Sequence, residues 1–221
     1  MSQLGVLWDM DGVLVDTTEW HYRAWDKIFS EYGVPFDRET FRSIFGMDNT
    51  HALEVMLGEG ATEERIEEIA ERKERLFLEL IRGRVEVLPG VRAWLRRLKG
   101  QGVPQAVASS APKANVEQIL DELDLHTFFE AVVCSVDAPG KPHPGIFLEA
   151  AERIGVPPAR CVVIEDAVSG VEAAGRAGMA CVAVTTTSPA SALSGADVIV
   201  NRLDELSDDV FRRLVERRAR A

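Results

Sequence analysis

Four short apolar runs in this chain each lead to a polar cluster, and that repeated pattern constrains the fold more than any other feature. Leu4-Gly5-Val6-Leu7-Trp8 stops at Asp9-Met10-Asp11-Gly12, and residues 104–108 stop at Ser109-Ser110. Residues 131–134 lead into Gly140-Lys141-Pro142-His143-Pro144, and Cys161-Val162-Val163-Ile164 stops at Glu165-Asp166. Short apolar runs of this kind read as strands buried on both faces. From residue 87 onward they alternate with helical patterns, which predicts βαβ units and a parallel sheet. Such sheets bind ligands at the carboxyl ends of their strands, so all four clusters are expected to meet in one crevice.

The first cluster carries the clearest chemistry. Side chains alternate along a strand, so Asp9 and Asp11 face the same crevice, and Gly12 lets the chain turn away closely. Two crowded carboxylates repel, which raises one pKa unless a cation offsets it. The expected outcome is an ionised nucleophile beside a proton-carrying acid. Each cluster also has a plainer local reading. Asp9 and Asp11 are common turn residues, Ser109 and Asp166 could cap the helices that follow, and Lys141 could be an exposed lysine.

Between the first and second strands the pattern is helical throughout. Residues 18–32 place His21, Trp25, Ile28 and Tyr32 on one face, and further helices are predicted over 38–44, 50–57 and 62–81. Trp25 reads as core, whereas His21 fits core and site equally. Later helices are predicted over 91–99, 113–123 and 145–154, with one closing near Gly175 to Gly178 and a last one marked by Phe211, Leu214 and Val215. Strands over 180–184 and 198–200 complete the sheet. The fold class is therefore α/β: a Rossmann-like parallel-sheet core from residues 1–17 and 84–221, with an all-helical cap over 18–83.

At 221 residues with 46% hydrophobic content, the chain can bury one core plus such an insertion. A net charge of -11 argues against a nucleic-acid partner, which rewards basic faces. No apolar run approaches membrane-helix length, and Asp9 interrupts the N-terminal apolar run, so no membrane association and a cytoplasmic location are expected. Cys134, Cys161 and Cys181 lack zinc-site spacing and read as buried residues in a reducing compartment.

Asp9-x-Asp11-Gly12-Val13-Leu14 resembles the first motif of the haloacid dehalogenase superfamily of aspartate-nucleophile phosphotransferases, and Asp16-Thr17 resembles its β-phosphoglucomutase-like branch. Ser109, Lys141-Pro142 and Glu165-Asp166 are similar to the second, third and fourth motifs, in the same order. The resemblance implies a nucleophile in Asp9, an acid and base in Asp11, and a charge-neutralising Lys141. Ser109 and the Ser110 amide would bind phosphate, as would Lys141. A Mg2+ site is implied at Asp9, Asp166, Glu165 and Asp11, the last through its backbone carbonyl. In the cap it implies substrate contacts from His21, Asn49 and Lys73, with Asn115 reaching in from the core. Asn49 stands where a mutase would place a phosphate-binding arginine. The implied activity is a magnesium-dependent phosphatase acting on a small phosphorylated metabolite, a sugar phosphate. A β-phosphoglucomutase is the first alternative, and a silent binding module on the same fold is the second. A monomer or weak dimer is expected.

Overall fold

The computed structural model describes residues 4–218. Six strands form one fully parallel sheet: β1 Gly5–Trp8, β2 Gln105–Ala108, β3 Ala131–Val133, β4 Cys161–Glu165, β5 Ala180–Val184 and β6 Val198–Val200. Their spatial order is β3-β2-β1-β4-β5-β6. The winding reverses between β1 and β4, which is where a crevice opens at the carboxyl ends of an α/β sheet. Asp9 follows β1 and Asp166 follows β4, so the topology brings two of the polar clusters to that point.

Alternation along the strands supplies the two core layers. Val6 and Trp8 of β1 pack with Val162 and Ile164 on one face, under α5 (Val91–Gly100), α6 (Lys113–Glu122) and α9 (Val210–Arg218). Leu7 and Val163 point to the other, under α7 (Gly145–Arg153) and α8 (Val168–Arg176). The three cysteines are buried and free. Among the described residues no helix is long and apolar enough to cross a membrane.

Between β1 and β2 lie α1 (Thr18–Glu31), α2 (Arg38–Ile44), α3 (Asn49–Leu57) and α4 (Glu63–Ile81). The starts of α2, α3 and α4 are set by side chains that accept otherwise unpaired amides: Asp37 from Thr40, Asp48 from His51 and Thr62 from Arg65. Trp25, Phe29, Phe41, Leu53 and Ile69 form a separate core for this segment. Its root is different, because Ala24, Phe77 and Ile81 belong to the sheet's core instead. The chain enters and leaves the segment side by side, with Val15 bridged to Val87 and the Leu88 amide donating to Leu14 at 2.9 Å. The predicted elements all form: α2, β5 and β6 match their predicted ranges, and other ends shift by one to a few residues. Residues 1–3 and 219–221 of the ranges given above lie outside the described residues.

Candidate active site

After β1 the backbone coils tightly. The Met10 carbonyl accepts the amides of Val13, Leu14 and Val15 at 3.3, 2.9 and 3.2 Å, and Gly12 takes the left-handed φ of 88°. The coil holds Asp9 and Asp11 at the rim of a cavity of about 60 Å³, which Ser109, Ser110, His21 and Lys73 also line.

Behind Asp9 lies a buried acidic cluster. Asp9 is 7% exposed, Lys141 2%, and Glu165 and Asp166 are both fully buried. The Lys141 ammonium sits 2.5 Å from Asp9 Oδ1 and 2.5 Å from Glu165 Oε1. Glu165 Oε2 accepts the amides of Asp166 and Ala167 at 2.9 and 3.1 Å, so both oxygens of Glu165 are engaged. Asp166 Oδ2 accepts the Thr187 hydroxyl, while its Oδ1 is buried with no partner. Glycines make room for both acids: a Cβ on Gly170 would lie 1.9 Å from Glu165 Oε1, and one on Gly12 would lie 1.9 Å from Asp166 Oδ2.

Three carboxylates with ligand atoms within 4.8 Å of one another therefore face a single ammonium. Burial pushes Asp9 up to about 8; Lys141 opposes this, while Glu165 and Asp11 reinforce it. Burial likewise lifts Asp166 well above the usual carboxylate range, with Glu165 and Asp9 adding to it. Such a cluster, with a desolvated oxygen lacking any donor, fits a hard divalent cation that accepts carboxylate oxygens.

Asp11 behaves in the opposite way. Burial would raise it, but the hydrogen bonds from His21 and Thr17 and the charge of Lys73 outweigh burial and hold it below the ordinary value. His21 Nε2 stands 3.4 Å from Asp11 Oδ1, and the Thr17 hydroxyl donates to the same oxygen. The two carboxyls are therefore shifted in opposite directions, because Asp9 shares its pocket with two further acids and Asp11 does not; a divalent cation held by the cluster would draw Asp9 back toward its ionised form.

Other plain readings resolve as well. Ser109 is not a helix cap: α6 begins four residues later with Pro112 in the cap position, and Ser109 Oγ accepts the Ala111 amide at 3.1 Å. Ser110 Oγ accepts the Lys141 amide at 3.4 Å, tying the lysine loop to the end of β2. Asp166 does not cap α8, whose cap position is Ala167. His21 is both core and site: it is buried, stacks on Phe77 at 3.8 Å, and its Nδ1 lies 3.0 Å from Lys73 Nζ. Asn49 lines the cavity, whereas Asn115 is buried behind it.

Sequence reasoning missed Thr17, Thr187 and Glu74. Thr187 stands in Thr185-Thr186-Thr187, a polar cluster after β5 of the kind that marked the other strands, so a signal was present. Glu74 gives none, because it adjoins Lys73 on α4 and only tertiary contacts reveal its use. It accepts Lys73 Nζ at 2.7 Å, Asn49 Nδ2 at 2.8 Å and Asn115 Nδ2.

Comparison with known proteins places the chain among relatives of the same fold. Beta-phosphoglucomutase of Bacillus subtilis is 36% identical over 210 residues, covering 91% of each chain. A phosphorylated carbohydrates phosphatase of Thermotoga maritima is 35% identical over 179 residues, covering 79% of this chain and 81% of that one. The crystal structure of beta-phosphoglucomutase from Clostridium difficile superposes with a TM-score of 0.90 at 26% identity, covering 99% of this chain and 100% of the other. Residues 4–178 match the sequence profile of the haloacid dehalogenase-like hydrolases, and the chain is an enzyme of that family.

Proposed function

We propose that this enzyme is a magnesium-dependent phosphatase that hydrolyses a small sugar phosphate through an aspartyl-phosphate on Asp9. The observation that carries the reading is the Asp9 carboxylate at the cavity rim, ion-paired to Lys141 at 2.5 Å in front of two further buried acids. In this reading residues 18–83 act as a cap over a core formed by 1–17 and 84–221.

Asp9 attacks phosphorus in line with the leaving oxygen and is phosphorylated, the new carboxylate O–P bond forming as the bond from phosphorus to the leaving oxygen breaks. Asp11 protonates that oxygen, then accepts a proton from the water that cleaves the aspartyl-phosphate. The bonds from Thr17 and His21 favour the ionised form of Asp11, which is the base of the second step; it takes up its proton only after leaving them. Lys141 offsets charge on Asp9 and the phosphoryl oxygens, and the Ser109 hydroxyl and Ser110 amide orient those oxygens. Asp9, Asp166 and the Asp11 carbonyl would hold Mg2+, while Glu165 serves by fixing Lys141. Bound there, the ion supplies charge neutralisation for the transferring group.

Phosphorus NMR with Mg2+ and a panel of sugar monophosphates should show inorganic phosphate accumulating. An isomerised ester without free phosphate would overturn the hydrolase reading in favour of a mutase, the activity named for the Bacillus subtilis relative. Asp9→Asn should lose turnover and all trapped phosphoenzyme; turnover at the wild-type rate would refute the nucleophile. Asp11→Asn should slow turnover about 10²- to 10⁴-fold, the usual worth of a general acid. Asp166→Asn should lose the response to Mg2+, and an unchanged metal requirement would remove Asp166 from the site.

A further inference from the structure

The cavity lining holds little free positive charge. Its basic lining residues are His21 and Lys73. Lys73 is already paired, 2.7 Å from Glu74 Oε1, with a side chain only 3% exposed. His21 is engaged at both ring nitrogens, with Nε2 3.4 Å from Asp11 Oδ1 and Nδ1 3.0 Å from Lys73 Nζ. Glu74 also lines the cavity, with its side chain 12% exposed. Three donors anchor it from three directions: Lys73 beside it on α4, Asn49 at the start of α3, and Asn115 on α6 of the sheet core. A carboxylate offers about four acceptor sites, so these donors leave room for one more.

We infer that Glu74 is a specificity-determining residue, holding the distal end of the cavity for a hydroxyl of the substrate's polyol portion and turning away a second phosphate. A hydroxyl can donate to the open acceptor site. A phosphate brings only acceptors and negative charge, meets a fixed carboxylate, and finds Lys73 already neutralised. Selectivity then rests on repulsion of the wrong substrate as much as on attraction of the right one. The inference depends on the phosphatase reading above and narrows it to monophosphates whose far end is uncharged.

The test compares kcat/KM for a hexose monophosphate and the bisphosphate of the same hexose, in the wild type and in Glu74→Gln. The wild type should prefer the monophosphate by about tenfold or more. Glu74→Gln should shrink that preference by about ten- to a hundredfold, the worth of one hydrogen bond to a charged group. A purely structural Glu74 would lower both substrates alike and leave the ratio unmoved, which would overturn the inference. A wild type that handles the bisphosphate as well as the monophosphate would overturn it whether or not the variant folds. If neither ester releases phosphate, the phosphatase reading has failed by itself. Calorimetric binding of the two esters to Asp9→Asn protein, with and without Glu74→Gln, then reads the same preference without turnover, and equal affinities would overturn it.

Discussion

Gly170 and Gly12 are positions where one methyl group decides whether the acidic cluster can form. Glu165 is held by two amides and an ion pair to Lys141, so it cannot give way to a Cβ that would sit 1.9 Å from its oxygen. Gly170→Ala should therefore cost about 1–3 kcal/mol in chemical denaturation, the range for overpacking a tight interior, and displace Lys141 enough to lower kcat about tenfold or more. Unchanged stability and turnover would mean that Glu165 is not fixed as described. The acids and the lysine themselves were legible in the sequence because each lies at or beyond a strand end, where the fold gathers functional groups. Their hydrogen-bond partners were not. Thr187 lies 21 positions from Asp166, and Glu74 lies 41 from Asn115, and no local pattern links residues at such separations. The opposite shifts of Asp9 and Asp11 were also beyond the sequence, since they depend on how many other acids share the pocket with each.

At the scale of elements, α4 joins the helical insert to the site. Near its C-terminal end Phe77 is fully buried in the sheet's core and stacks on His21 at an interplanar angle of 16°; one turn earlier the same helix presents Lys73 and Glu74. Helices like this were readable from apolar periodicity, and in the structure Asp37, Asp48 and Thr62 each accept an amide at a helix start. Strand order was not readable, because nothing in β1 itself says that it lies between β2 and β4. The short 3-10 turns, such as that at Pro158–Arg160, also escaped, since three residues carry no period. The coupling through α4 can be measured. Phe77→Ala should cost about 3–5 kcal/mol in stability, as expected for a buried aromatic. Phe77→Leu keeps most of the volume and should cost less than about 1.5 kcal/mol, yet it removes the ring that supports His21. A fall in kcat in the leucine variant would show that the stack positions His21 against Asp11; full activity would show that the stack is packing alone.

Across the whole molecule, the helical insert and the sheet core are joined by several features, among them the burial of Ala24, Phe77 and Ile81 in the sheet's core, the paired chain crossings at Val15 and Val87, the packing of Gly46 against Ala167 and Ser169, and the hydrogen bond from Asn115 to Glu74. The hydrogen bond from Asn115 to Glu74 is ionic on one side, so it should respond to pH. Burial would raise the Glu74 pKa, but the charges of Lys73 and His21 and the hydrogen bonds from Lys73 and Asn115 hold it below its ordinary value of 4.5. A carboxyl with a depressed folded-state pKa stabilises the native state fully above the unfolded-state value. That stabilisation declines as the pH falls below 4.5, because the unfolded chain then binds a proton that the native state refuses. Glu74→Gln should accordingly cost about 1–3 kcal/mol near neutral pH, the penalty for leaving buried donors without their charged acceptor. Denaturation of both proteins at a series of pH values should show that difference narrowing as the pH drops from about 6 toward 3, since protonated Glu74 and glutamine become equivalent in charge. A difference that stays constant through acid would mean the carboxylate does not join insert to core. One that narrows would make the Glu74 carboxylate a link holding the two parts together.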